Sequence, residues 1–140
     1  GVYDGAAVGF MAVKTADQTN AASGDVITFD TVLTNVGGGY DSATSTFTAP
    51  HAGLYHLSAV VLSDDTDTGG VSPMLYKNGA NTKIIGHSSG ETHEQAILTA
   101  VFELQQGDAM TIVNNDGNED IYGHSNAYHT HFEGHLINRM

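Results

Sequence analysis

The sequence predicts an all-β fold, an antiparallel sandwich of short strands, and three observations carry that prediction. Seventeen glycines, two prolines and no tryptophan stand beside many Thr, Val, Ser and Ala residues, a composition that favours strands and turns. Helical periodicity is absent along the chain. Runs of strand length instead alternate with clusters of turn-forming residues.

In chain order, VGFMAVKT (8–15) is the first strand, and VITFDTVLTN (26–35) is a second that breaks near Asp30. GGG (37–39) turns the chain into SATSTFTA (42–49), and TAPHAG (48–53) turns it into GLYHLSAVVLS (53–63). After the acidic loop DDTDTGG (64–70) come SPMLYKNG (72–79) and TKIIGHS (82–88), joined through NGAN (78–81). SSGE (88–91) leads to EQAILTAVFEL (94–104), QGD (106–108) to AMTIVNN (109–115), and NDGNED (115–120) towards YHTHFEGHLI (128–137). Phe29, Phe47, Tyr55, Leu57 and Phe132 are the large residues expected in the core. Each contributes roughly 1.5–3 kcal/mol when fully buried. LYHLSAVVL and AILTAVFEL are apolar on both faces, whereas a sandwich strand normally alternates apolar with polar. Their second face is therefore expected to be covered, most simply by another subunit.

At 140 residues the chain reads as one domain, 1–140, long enough to bury a core without staples. The absence of cysteine excludes disulfides, thiolate metal sites and a cysteine nucleophile. Four Lys and Arg against sixteen Asp and Glu give a formal charge of −12, which repels phosphate backbones and anionic headgroups. Nucleic acid is therefore not an expected partner. No apolar run reaches the length of a membrane span, so membrane insertion is not expected either.

The spacing of aromatic residues and glycines then becomes specific. ITFDTVLTNVGGGYDSATSTFTAPHAGLYHLS supplies Ile27 and Phe29, Asn35, Tyr40 with Asp41, Phe47 with Ala49 and Pro50, and Gly53 with Tyr55. KNG at 77–79, LQQGD at 104–108 and HFEGHLI at the end continue the pattern. This set resembles the globular-head domain of the complement C1q family, a branch of the tumour necrosis factor-like jelly rolls, and the resemblance runs from Val8 to Ile137. Leu57 and His135 stand where that family usually has Phe. The resemblance implies a ten-stranded jelly-roll sandwich, a tight homotrimer, secretion and a ligand-recognising surface in the loops. With no collagen-like Gly-X-Y stretch in the chain, it is similar to stand-alone invertebrate C1q-domain proteins.

Candidate chemistry divides into three groups. GHSSG (86–90) matches the nucleophile-elbow pattern around Ser88, but that motif needs a strand feeding a helix and here it lies between strands. A serine hydrolase is rejected and no enzyme is expected. The acidic loops place Asp64, Asp65 and Asp67, then Asp116 and Asn118, where hydroxyl-rich ligands would meet them, with Tyr76, Tyr122 and Tyr128 as stacking surfaces. Calcium, which takes oxygen ligands, is a further expectation. The resemblance implies an ion near the trimer apex, and by position Glu91, Glu94 and Gln95 are its candidates.

The third group is the histidines. His129, His131, Glu133 and His135 occupy every second position, so an extended strand would carry them on one face. Three imidazoles and a carboxylate suit zinc or copper, yet neighbours on one strand rarely converge on one tetrahedral ion. His56 joins them if Tyr55 and Leu57 face the core, and a threefold axis would then gather equivalent imidazoles from three chains. Neutral interface histidines remain the alternative. The expected function is thus a secreted, non-catalytic, lectin-like homotrimer that recognises glycans or microbial surfaces and needs no cofactor. An extracellular metal-binding or mineral-associated protein and a cytokine-like receptor ligand are the alternatives.

Overall fold

The computed structural model describes residues 7–64, 70–88 and 94–140. Its strands in chain order are β1 (Gly9–Val13), β2 (Gln18–Ala21), β3 (Thr31–Val36), β4 (Tyr40–Asp41), β5 (Thr46–Thr48), β6 (Gly53–Leu62), β7 (Pro73–Lys77), β8 (Ala80–Ile85), β9 (Gln95–Leu104), β10 (Ala109–Asn114), β11 (Glu119–Ile121) and β12 (His131–Arg139). Two five-stranded antiparallel sheets, β3-β1-β12-β6-β9 and β4-β5-β10-β7-β8, form the sandwich, and β11 pairs with β2 in a small third sheet. The sequence pattern anticipates nine of the ten strands of the two main sheets; it misses the two-residue β4 and also β2 and β11, whose QTNA and EDI segments carry too few apolar residues to stand out.

Alternation explains the inner faces. In β6, Tyr55, Leu57, Ala59 and Val61 are fully buried while Leu54, His56, Ser58 and Val60 between them are half-buried on the other side. The core centres on aromatic rings drawn from both sheets. Phe10 stacks on Phe47 at 4.5 Å and on Tyr40 at 5.3 Å, and Phe132 meets Phe10 edge-on at 4.9 Å. Offset and edge-on contacts of this kind add about 0.5–1.5 kcal/mol to the area they bury.

The stretch expected from Val26 enters its sheet only at Thr31, beyond the break foreseen near Asp30, and two other strands also begin later than their sequence pattern predicts. Residues 42–45 form a turn, and Ser45 takes φ 52°. Its hydroxyl accepts a hydrogen bond from the Phe29 amide at 2.8 Å, so the strand expected from residue 42 starts at Thr46. The last strand, expected from Tyr128, starts at His131. There the buried Thr130 hydroxyl accepts from the Leu62 amide at 3.0 Å and donates to the Tyr122 carbonyl at 2.8 Å, which holds the preceding residues out of the ladder.

The glycines of the family-like motifs mark close approaches. A Cβ on Gly53 would lie 2.6 Å from the Asn138 carbonyl oxygen across the β6–β12 ladder. On Gly134 it would meet Leu57 Cδ2 at 2.7 Å, Phe10 Cε1 at 2.8 Å and the His56 carbonyl oxygen at 2.9 Å. Gly134→Ala is therefore expected to destabilise the fold by about 1–3 kcal/mol through overpacking. Urea denaturation measures this, and a loss below about 0.5 kcal/mol would show that the core yields at that point.

Asp108 anchors the β9–β10 turn as the QGD motif suggests. It accepts from the Gln105 amide at 2.8 Å and the Asn78 side-chain amide at 3.0 Å, and Lys77 Nζ lies 3.6 Å away. The Asn78 and Gln105 bonds hold its carboxyl below the usual aspartate range.

Candidate functional site

A cleft of about 380 Å³ opens at one end of the sandwich, lined by Leu62, Gln95, Tyr122 and His129. Among the described residues its walls come from four places in the chain: the last residue of β6, the first of β9, the segment after β11 and the residue but one before β12. Backbone bonds hold them together. The Tyr122 amide donates to the Leu62 carbonyl at 2.9 Å, and the Thr130 hydroxyl bonds both of those residues. The Gln95 amide nitrogen donates to the His129 carbonyl at 3.1 Å. On Tyr122 the rings converge, with His129 edge-on at 5.6 Å and His124 nearly parallel at 6.1 Å. The His124 Nδ1 accepts the Asn126 amide at 2.9 Å, which places that ring's proton on Nε2.

Three residues that the sequence assigns to different roles thus meet here. Tyr122 was expected as a loop stacking surface, Gln95 as a calcium ligand and His129 as part of an axial histidine row. His129 lies outside β12, so strand alternation alone does not place it on a face with His131 and His135. No sequence pattern singles out Leu62, His124 or Thr130 for this site. YGHSN (122–126) offers an aromatic and a histidine close together, but nothing local says they line a cleft with residue 95.

The remaining loop candidates are dispersed. Asp64 follows β6, where its amide donates to the Asp120 carbonyl at 2.8 Å. Asp116 accepts from Ser72 at 3.2 Å, and Asn118 is exposed between β10 and β11. Tyr76 is half-buried in β7, in the opposite sheet, and Tyr128 is exposed. Asp65, Asp67 and Glu91 lie outside the described residues. Glu94 and Gln95 adjoin at the head of β9, but among the described residues no three His, Asp or Glu side chains gather to hold a metal ion.

A second surface is the outer face of the β3-β1-β12-β6-β9 sheet. His135 pairs across strands with His56, the rings 5.6 Å apart, and His56 Nε2 lies 2.8 Å from Thr99 Oγ1. In the next row Glu133 is held at both oxygens, by Ser58 Oγ at 2.8 Å and His131 Nδ1 at 2.6 Å. Beside these polar pairs Ile97 and Val101 of β9 are 61% and 56% exposed. His56 does face away from the core, since Tyr55 and Leu57 are fully buried. Ser88 offers no accessible nucleophile: it is buried and its hydroxyl accepts the Val71 amide at 2.8 Å.

The C1q domain model matches residues 9–137. Protein HP-25 homolog 1 of Bos taurus is 30% identical over 112 residues, which cover 80% of this chain and 50% of that relative. The chain thus spans about half the length of that curated relative. Among solved structures, the globular domain of zebrafish complement 1qA superposes with a TM-score of 0.75 at 19% identity, covering 95% of this chain and 99% of that one. Murine APRIL at pH 8.0 gives 0.73 at 16% identity over 94% and 99%. The Eiger TNF of S. frugiperda gives 0.64 at 13% identity over 96% and 92%. At these identities the superpositions speak for the jelly-roll fold, and together with the family match they establish that the chain belongs to the C1q domain family.

Proposed function

We propose that the protein is a secreted, non-catalytic recognition module that works as a homotrimer and binds glycans or microbial surface ligands. The observation that carries this reading is the outer face of β6, β9 and β12. Ile97 and Val101 stand exposed there, with Leu54, Val60 and Met11 half-buried on the same face by register. An apolar sheet face of this kind is normally covered, and a second copy offers the same mixture of apolar and hydrogen-bonding groups. Size exclusion with light scattering is expected to give three times the chain mass for the wild type and a folded monomer for the double variant Ile97→Asp, Val101→Asp. A wild type that stays monomeric at micromolar concentration overturns the trimer. A glycan array run with calcium and again with chelator tests the ligand class.

The His56–His135 pair favours a second reading, extracellular metal binding. Threefold symmetry would repeat the pair around one axis, and neutral imidazoles are good zinc ligands. A melting temperature lowered by chelator in the wild type but not in His56→Gln would support it. The cytokine-like alternative rests on the shared fold alone, and capture of a receptor from cells would test it.

A further inference from the structure

We propose that the Leu62–Gln95–Tyr122–His129 cleft is the ligand site and that it holds one uncharged pyranose ring of a glycan. This rests on the recognition reading above and adds to it a location and a ligand class. Four features of the cleft carry the inference.

The first is size. A volume of about 380 Å³ lies at the small end of ligand pockets, suited to a sugar ring or two rather than to a protein segment. The second is the pairing of an aromatic wall with polar edges. Tyr122 supplies an aromatic surface beside the aliphatic Leu62, and the apolar C–H face of a pyranose packs on such a surface. Gln95 uses its amide nitrogen on the His129 carbonyl, and among the described residues its Oε1 has no protein partner. The ring nitrogens of His129 likewise have no hydrogen-bond partner among the described residues. A carbonyl acceptor and an imidazole that both donates and accepts match the vicinal hydroxyls of a sugar.

The third feature is charge. None of the four lining residues is a carboxylate, lysine or arginine, and the chain as a whole carries −12. A sulfated or sialylated ligand would meet no cationic partner among the described residues of the cleft and a repulsive field around it. The fourth is rigidity. The walls are fixed by the Tyr122–Leu62 backbone bond, by the buried Thr130 hydroxyl between them, and by the Gln95–His129 bond. A preformed site spends less binding energy on ordering, which matters for a ligand with few atoms.

The test uses the full chain with methyl glycosides of glucose, galactose, mannose and N-acetylglucosamine, with sialyllactose as the anionic probe. Binding is followed by calorimetry and by NMR shifts of the His129 ring protons. At least one neutral glycoside is expected to bind and to move the His129 signals. Tyr122→Leu and Gln95→Ala are each expected to weaken it tenfold or more, while Thr48→Ala, exposed in β5 of the opposite sheet, leaves it unchanged. Melting curves confirm that the variants fold; Gln95 is exposed, so Gln95→Ala keeps the test valid if Tyr122→Leu does not fold. Glycan binding that ignores both cleft variants overturns the cleft and leaves the recognition reading standing. Binding of sialyllactose alone overturns the uncharged ligand class. If neither the glycosides nor the array yields a ligand, the glycan reading fails together with the cleft.

Discussion

Replacing Phe132 with Asp is expected to abolish folding. The ring is fully buried, edge-on to Phe10 at 4.9 Å and tilted against Phe29 at 5.6 Å, at the point where the two sheets meet. Truncating a buried Phe alone costs about 3–5 kcal/mol. An unpaired carboxylate among those rings adds a desolvation penalty of several kcal/mol more. A domain of this size holds only about 5–15 kcal/mol in total, so the sum reaches or exceeds what is available. Leu57→Asp, in the neighbouring strand and also fully buried, is expected to do the same. Phe132→Ala should remain folded with a lowered urea midpoint. Soluble Phe132→Asp protein with dispersed NMR signals would show that the core is not centred where the rings place it.

Stability is expected to rise between pH 8 and pH 10 and to fall above it, because two buried groups titrate in opposite senses. Lys14 is 1% exposed, and its three ammonium protons meet three acceptors: Gln18 Oε1 at 2.9 Å, Thr28 Oγ1 at 2.7 Å and the Thr28 carbonyl at 2.8 Å. Burial lowers its pKa from 10.5 to about 8, against the pull of Asp30 and Asp17. Between those values the unfolded chain holds a proton that the folded one has released, so stability increases with pH, by on the order of 3 kcal/mol across the whole window. Below pH 8 both states are charged and the burial penalty is fully present.

Tyr40 works the other way. Its hydroxyl donates to the Phe29 carbonyl at 2.8 Å, and burial raises its pKa from 10.0 to about 12. Above pH 10 the unfolded chain loses a proton that the folded one keeps, so stability falls. Tyr55, raised by burial although the His51 carbonyl accepts its hydroxyl, adds to that fall. Melting temperatures measured from pH 7 to 11 should pass through a maximum near pH 10. Lys14→Met should remove the rise and keep the fall, and Tyr40→Phe should make the fall shallower. A rise that persists in Lys14→Met would mean that another group causes it.

Lys14 also illustrates where sequence reading stops. VGFMAVKT announces a strand, and its apolar run places Phe10 and Ala12 inside. Period two carries Lys14 to the same face as Phe10 and Ala12, but nothing in the run reveals the acceptors that make its burial tolerable, because they sit on residues 18 and 28. In the same way QTNA and EDI become strands only by pairing with each other across about a hundred residues of chain.

Strand alternation, the aromatic core and the family motifs are local patterns, and the side-chain period of a strand converts them directly into faces. That is why Phe29, Phe47, Tyr55, Leu57 and Phe132 could be placed in the core, and His56 on the outer face, from their order alone. The limit of that rule is His129. Its spacing from His131 and His135 has meaning only while the chain is extended, and the Thr130 hydroxyl, bonded to Leu62 and Tyr122, delays the ladder until His131. The cleft is a product of tertiary structure throughout. Residues 62, 95, 122 and 129 share no motif and no period, and their convergence depends on where β6 ends, where β9 begins and how the chain returns from β11 to β12. Pairing of distant backbone groups decides those points, and such pairing is written in the sum of many weak contacts rather than in any one stretch of sequence.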